Sequence, residues 1–306
     1  MRFSVVIALA PGRQAEVLDS LKKLDYDPAG YETIIETGKS ASSNRNEGIK
    51  KAQGEIIAFV DDDAFVDQNW LKNADAFFSK YQDIDVVGGP QLTPESDSLF
   101  GKISGFALSS VFGGASIRNR YQKSKLNLKS DERELTSANL FCQKIIFEKM
   151  LFNPELWPGE DPEFFNECIE KKIRLAYSPD IVIYHKRRRN LFAFAKQIFT
   201  YAYVRPLVRK IKKTRRTSIL FFVPSIFLIY LLFLPFLAMR TRIFLLPLYA
   251  YSALNLLITI IVSISQKSFW SILFLPVTFL TIHFSYGVGF LCGIFKKKWQ
   301  SRLSVL

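Results

Sequence analysis

Three long uncharged stretches, 217–239, 243–266 and 268–295, occupy the last third of this 306-residue chain. Each exceeds the roughly 20 residues, at about 1.5 Å rise apiece, that a helix needs to cross a hydrocarbon core about 30 Å thick. The pattern predicts C-terminal transmembrane helices at 218–239, 243–265 and 269–295. Prolines at Pro224, Pro235, Pro247 and Pro276 are compatible with bent or partial crossings. Basic runs at 210–216 and 296–298 flank the set. The positive-inside rule wants both runs on the cytoplasmic side, whereas three full crossings would separate them.

Charge divides the chain at the same place. All 28 acidic residues lie at or before Asp180, while 19 of the 41 Lys and Arg residues follow His185. With 22 basic against 28 acidic residues, the first 185 residues carry −6 and the remainder +19. The basic residues neighbour apolar runs rather than exposed aromatics, so the expected partner is membrane lipid and not nucleic acid. Cys142, Cys168 and Cys292 match no disulfide or zinc-ligand spacing. The start of the chain has no basic leader followed by an apolar core and cleavage site, so a multi-pass cell-membrane protein with its first domain on the cytoplasmic face is expected.

Through the first half, short apolar runs alternate with amphipathic stretches. Strands are expected at 3–9, 32–36 and 55–60, and helices at 14–24 and 43–52. This βαβαβ order predicts an α/β fold with a mainly parallel sheet. A helix at 68–80, a strand at 85–87 and the turn Gly88-Gly89-Pro90 follow, then a Gly-, Ser- and Lys-rich stretch, 96–130, read as mobile helix and loop. Structure resumes with a strand at 134–142, helices at 143–150 and 161–172 around a loop at 153–158, and strands at 174–177 and 181–185. The expected division is a catalytic domain over 1–190, a helix and basic linker over 191–216, and a membrane region over 217–306. The linker's apolar residues, Leu191, Phe194, Ala195, Ile198 and Ala202, suit either a membrane-interface helix or one facing a protein core; the basic run after it favours the interface.

The chemistry concentrates at Asp61-Asp62-Asp63, at the C-terminal end of the third strand, where open α/β sheets bind ligands. Clustered carboxylates there suit a divalent cation, Mg2+ or Mn2+. Alternation along an extended chain turns Asp61 and Asp63 one way and Asp62 the other. Taken alone, such a cluster in an arbitrary protein is more often a solvated turn.

The ordered set around it says more. Asn44-Arg45-Asn46-Glu47-Gly48, Phe59-Val60-Asp61-Asp62-Asp63, Gly88-Gly89-Pro90, Gly159-Glu160-Asp161, Tyr177-Ser178-Pro179-Asp180 and Tyr184-His185 together resemble family 2 glycosyltransferases of the GT-A fold, over about residues 1 to 210. The resemblance implies a nucleotide-diphosphate sugar donor, held by Arg45, Asn46, Asp61 and Asp62, by Gly88 and Gly89, and by Glu36 near the base. It implies a metal set of Asp61, Asp63 and His185, and inversion at the anomeric carbon. Asp161, beside Glu160, is the expected general base, because an acceptor hydroxyl is a poor nucleophile until a carboxylate takes its proton. The bland alternative is that both acids favour a helix N-terminus. His283, inside an apolar stretch, reads as a helix-packing polar residue. Two features depart from the family pattern: the first strand ends in Ala10-Pro11-Gly12 rather than an Asn-containing loop, and Lys172 stands at a helix end where Gly is usual.

The acceptor reading is a hydroxyl of a lipid-linked saccharide or a cell-envelope polysaccharide precursor. A polyprenyl-phosphate sugar synthase is the rival within the enzyme class; its phosphate acceptor is already ionised and needs no base. A non-catalytic membrane subunit or a transporter is the rival outside it. Against the transporter stands the lack of any acid in the three apolar stretches.

Overall fold

The computed structural model describes residues 1–156, 159–212 and 221–296, with side chains omitted for 208–212. They fall into two units, one of Met1–Pro94 with Asn119–Lys186, the other of Glu95–Arg118 with the residues from Arg187 on.

In the first unit, β1 (Phe3–Leu9), β2 (Tyr31–Thr37), β3 (Ile56–Asp61), β5 (Val86–Gly88), β7 (Asn139–Gln143) and β8 (Leu175–Tyr177) form a sheet in the order β2-β1-β3-β7-β5-β8. Strand β1 runs parallel to β2 and β3, and β5 parallel to β8; β7 alone is antiparallel to its neighbours. Period-two alternation sends Phe3, Val5 and Ile7 to one face, where they meet Trp70, Leu71 and Phe78 of α3 (Trp70–Lys80). Val6, Ile57 and Phe59 point to the other, against Ile49 of α2 (Ala41–Lys51) and Phe164 and Cys168 of α6 (Glu160–Glu170). Both faces are covered, as a parallel sheet requires.

A second, small sheet positions the site. β4 (Ala64–Val66) pairs antiparallel with β9 (Ile183–His185), which pairs with β6 (Gln91–Leu92). Its register sets Ala64 opposite His185. Buried Asn139 helps fix this arrangement: its Nδ2 donates to the carbonyls of Pro90 (3.2 Å) and Ile181 (2.8 Å), and its Oδ1 accepts from Trp70 Nε1 (2.9 Å).

Several expectations need correction. The helix expected over 14–24 is only α1 (Leu18–Leu21), because the preceding residues form the turn that follows β1. The strand expected from 134 begins at Asn139, and 143–150 holds a short 3-10 helix, Lys144–Glu148. Of the loop at 153–158, the last two residues lie outside the described set. The stretch 96–130, expected as helix and loop, contains α4 (Leu99–Ser109), α5 (Val111–Gly114) and the 3-10 turn Ala115–Arg120, and its first part belongs to the second unit.

That second unit is helical: α4 and α5 with α7 (Leu191–Lys212), α8 (Val223–Arg240), α9 (Leu246–Ser265) and α10 (Phe269–Phe295). The segments Val223–Arg240, Arg242–Ser265 and Phe269–Phe295 have mean hydropathies of 1.9, 1.9 and 1.6 and are long and apolar enough to cross a membrane. Leu232, Phe236, Ile264 and Trp270 point outward, which suits hydrocarbon and not water. The apolar stripe of α7, Phe194, Ile198 and Ala202, is buried. Helix α7 lies close along α10, where a Cβ on Gly289 or Gly293 would strike the carbonyls of Phe199 or Tyr203. His283 binds Tyr251 Oη (2.8 Å) and the carbonyl of Phe112 (2.9 Å), joining α9 and α5 to α10. The basic run around 210–216 and residues 297–298 lie outside the fully described residues.

Candidate active site

The strand ends explain why distant residues meet. Asp61 closes β3, Asp63 immediately precedes β4, and the β4–β9 register carries His185 back beside them. His185 Nε2 is 3.1 Å from Asp63 Oδ1 and 3.7 Å from Asp61 Oδ2, while its Nδ1 contacts the Lys186 carbonyl at 2.9 Å. One atom from each of Asp61, Asp63 and His185 lies within 4.8 Å of the others. Two carboxylates and an imidazole fit a divalent cation in donor type as well as spacing.

Without a cation, the three groups serve as one another's charge partners. Burial alone would lower the His185 pKa, but hydrogen bonds to Asp61 and Asp63 raise it to about 10. Burial would raise the Asp63 pKa, yet His185 and Arg13 hold that carboxyl well below the usual range. Asp62 faces away, is buried, and is pushed up to about 6 by burial and by Asp63. Its backbone carbonyl accepts from Val17, anchoring the start of α1.

Arg13 went unnoticed in the sequence. It stands in the turn after β1, with Nη2 2.9 Å from Asp63 Oδ2 and Nε 3.0 Å from Asp62 Oδ2. Its partners lie fifty residues further on, so the available signal was an arginine straight after a Pro-Gly turn at a strand's C-terminal end.

The Asn44-Arg45-Asn46-Glu47-Gly48 motif divides into separate tasks. Asn44 donates to the carbonyls of Leu9 and Gly38 (both 3.1 Å), lacing together the ends of β1 and β2. Asn46 gives both amide atoms to the backbone of Phe152 (2.8 and 3.0 Å), so any influence of Asn46 on a nucleotide is indirect. Gly48 packs on β1, where a Cβ would strike Val6. Arg45 is the chemical member. Buried, with its guanidinium 5.5 Å from the Phe152 ring centroid, it reaches Glu160 Oε1 (3.3 Å) and Asp61 Oδ1 (3.5 Å).

Glu160 opens α6 and is almost wholly buried; burial, then the neighbouring Asp161 charge, raises its pKa. Its Oε2 accepts the Gly159 N–H at 2.9 Å. Asp161 Oδ2 accepts the Ser137 N–H at 3.1 Å, while its buried Oδ1 finds no donor among the described residues. A continuous chain of charges thus runs from Asp62 through Arg13, Asp63, His185, Asp61 and Arg45 to Glu160, beside Asp161. Five carboxylates meet two arginines and one histidine, an excess of negative charge suited to a cation.

The remaining expected residues sit elsewhere. Glu36 pairs with Lys51 (2.6 Å) on β2, the edge strand. Gly88 and Gly89 permit close packing: a Cβ on Gly88 would meet the Asn139 carbonyl at 2.7 Å, and one on Gly89 would strike the Ile181 carbonyl.

An α/β sheet with acids gathered at its strand ends, followed in sequence by three apolar helices, fits a GT-A-like domain with a membrane-spanning region after it. Residues 13–149 match the model of glycosyl transferase family 2. Among solved structures, the chain is similar to a mannosyltransferase, PcManGT from Pyrobaculum calidifontis, in complex with GDP-Man and Mn2+. The likeness covers 97% of this chain and 88% of that one, at 13% identity and a TM-score of 0.58, and is a likeness of fold. S. aureus TarS 1-349 aligns with a TM-score of 0.46 and 17% identity over 66% of this chain. The chain spans 64% of that TarS fragment. No curated protein matches in sequence.

Proposed function

We propose that this protein transfers a sugar from a nucleotide-diphosphate donor to a hydroxyl of a lipid-linked saccharide or polysaccharide precursor, with inversion at the anomeric carbon. The observation that carries the reading is the convergence of Asp61, Asp63 and His185, joined through Arg45 to the Glu160-Asp161 pair.

Asp61, Asp63 and His185 would hold a divalent cation, which when bound supplies Lewis-acid stabilisation to the departing diphosphate. The imidazole in the donor set tilts the choice from Mg2+ toward Mn2+. Asp161 is the general base. With Oδ2 fixed by Ser137 N–H, its Oδ1, buried and without a donor among the described residues, accepts the acceptor hydroxyl's proton as that oxygen bonds to the anomeric carbon and the bond to diphosphate breaks. Glu160, held by Arg45 and the Gly159 N–H, is less free to do so and serves to position Arg45.

A membrane-borne acceptor is favoured by the chain path. Between β6 and β7 the chain leaves the α/β unit to contribute α4 and α5 to the apolar helical unit, so sequence within the catalytic half helps build the membrane part. The multi-pass reading with the catalytic domain on the cytoplasmic face rests on those helices and on the sequence, as does the division at 190 and 216.

The test is release of nucleoside diphosphate from a panel of sugar nucleotides, with membranes supplying acceptor, with and without Mn2+. We expect one donor to support Mn2+-stimulated transfer. Undiminished transfer by both Asp63→Ala and Asp161→Asn would overturn the mechanism.

A further inference from the structure

We infer that Arg13 is a built-in competitor of the cation, holding the acidic cluster so that the divalent ion enters together with the donor's diphosphate rather than before it. This rests on the cation site proposed above.

Three observations carry it. First, Asp63 is shared: Oδ1 faces His185 at 3.1 Å while Oδ2 accepts from Arg13 at 2.9 Å, so the arginine occupies one of the two oxygens of a proposed ligand. Second, Arg13 Nε lies 3.0 Å from Asp62 Oδ2 as an ion pair, so its charge is shared between two adjacent carboxylates while its hydrogen bond goes to Asp63. A guanidinium stays charged at any working pH and cannot yield by losing a proton; it yields only by moving. Third, its side chain is 48% exposed, whereas that of Arg45, the other arginine of the site, is 7% exposed. Arg45 is enclosed; Arg13 lies half-exposed on the turn after β1, with room on its solvent side to meet an anion.

A diphosphate offers that anion. Its oxygens accept the same forked donation as a carboxylate pair. On its arrival Arg13 can exchange Asp62 and Asp63 for phosphate oxygens, removing a positive charge from the cluster as the cation brings its own. Cation and diphosphate would then bind with positive coupling, and by linkage each strengthens the other equally.

The experiment measures free Mn2+ by electron paramagnetic resonance during titration of the full-length protein in detergent, with and without UDP or GDP. For the wild type we expect weak binding of Mn2+ alone and tighter binding with the diphosphate. Arg13→Gln should bind Mn2+ alone about tenfold more tightly, the half-exposed position tempering the full Coulomb effect, and should gain less from the diphosphate. Arg13→Lys, which keeps the charge, should stay nearer the wild type. Thermal unfolding checks that each variant is folded. Equal or weaker Mn2+ binding by Arg13→Gln, with wild-type binding intact, overturns this inference alone. Absence of wild-type Mn2+ binding with either diphosphate overturns the cation site and this inference with it.

Discussion

The two carboxylate groups of the site are treated in opposite ways. At the β3 end, Asp61, Asp62 and Asp63 are each met by Arg13, Arg45 or His185. At the start of α6, Asp161 has a backbone N–H on one oxygen and, among the described residues, no donor on the other. On the proposed mechanism one end holds positive charge and the other receives a proton. Both use the same side-chain chemistry; partners separate their roles.

The sharpest way to break this contrast is to remove one acid from each end. Asp63→Ala should lower transfer by about a thousandfold or more and abolish Mn2+ binding, since it takes away a cation ligand. Asp161→Asn should lower turnover by roughly 10²–10⁴ while leaving Mn2+ and donor dissociation constants unchanged, as expected for loss of a base. If Asp161→Asn weakened Mn2+ binding as much as Asp63→Ala does, the two ends would not be distinct.

Glu160, lying between them, allows a subtler test. Its folded pKa is raised above the ordinary glutamate value, so the folded state holds that proton more tightly than the unfolded chain. Its contribution to stability is present at pH below the ordinary value and is lost as pH rises through the raised one. Glu160→Gln removes this dependence. The variant's melting temperature relative to wild type should therefore be more favourable at pH 8 than at pH 5; the reverse order would show that the Arg45 ion pair, not burial, dominates this group.

The smallest effect concerns the far end of α6. Lys172 sits at φ +59° just past the helix, with Ile173 N–H bonded to the Cys168 carbonyl (2.8 Å) and Lys172 N–H to that of Ile169 (3.1 Å). Glycine adopts this conformation without the steric cost a side chain meets there. Lys172→Gly should stabilise the protein by about 0.5 kcal/mol, part of the gain being offset by greater unfolded-state freedom, with transfer unchanged. A change in turnover would mean that α6 transmits strain to Asp161.

What could be read from the sequence followed how local each determinant is. Strand β1 and helix α2 declare themselves by period, and Asp61, Asp63 and His185 by their place in an ordered motif set. Arg13 was hidden because nothing near it in sequence indicates where its partners fold. The 96–130 stretch reads as helix and loop without fixed helix bounds because its apolar residues match surfaces on α10, far along the chain: Phe112 packs on Phe279 at 5.1 Å and Gly113 lies against Ile282. The antiparallel placement of β7 depends on a pairing that no local pattern encodes. Motif membership also concealed a division of labour, since Asn44, Asn46 and Gly48 shape the backbone around Arg45 rather than act beside it.

The β4–β9 ladder links the two ends of the α/β unit's chain. Ala64 stands opposite His185, two residues before the chain passes into the helical unit at Arg187. A slip of one residue in that ladder would turn the imidazole to the opposite face and leave two carboxylates without their third partner. Conversely, any ligand that gathers Asp61, Asp63 and His185 acts as a non-covalent cross-link, closing a loop that holds most of the domain. Donor occupancy and resistance to unfolding should then rise together, so that the loaded enzyme is also the harder one for a protease to open.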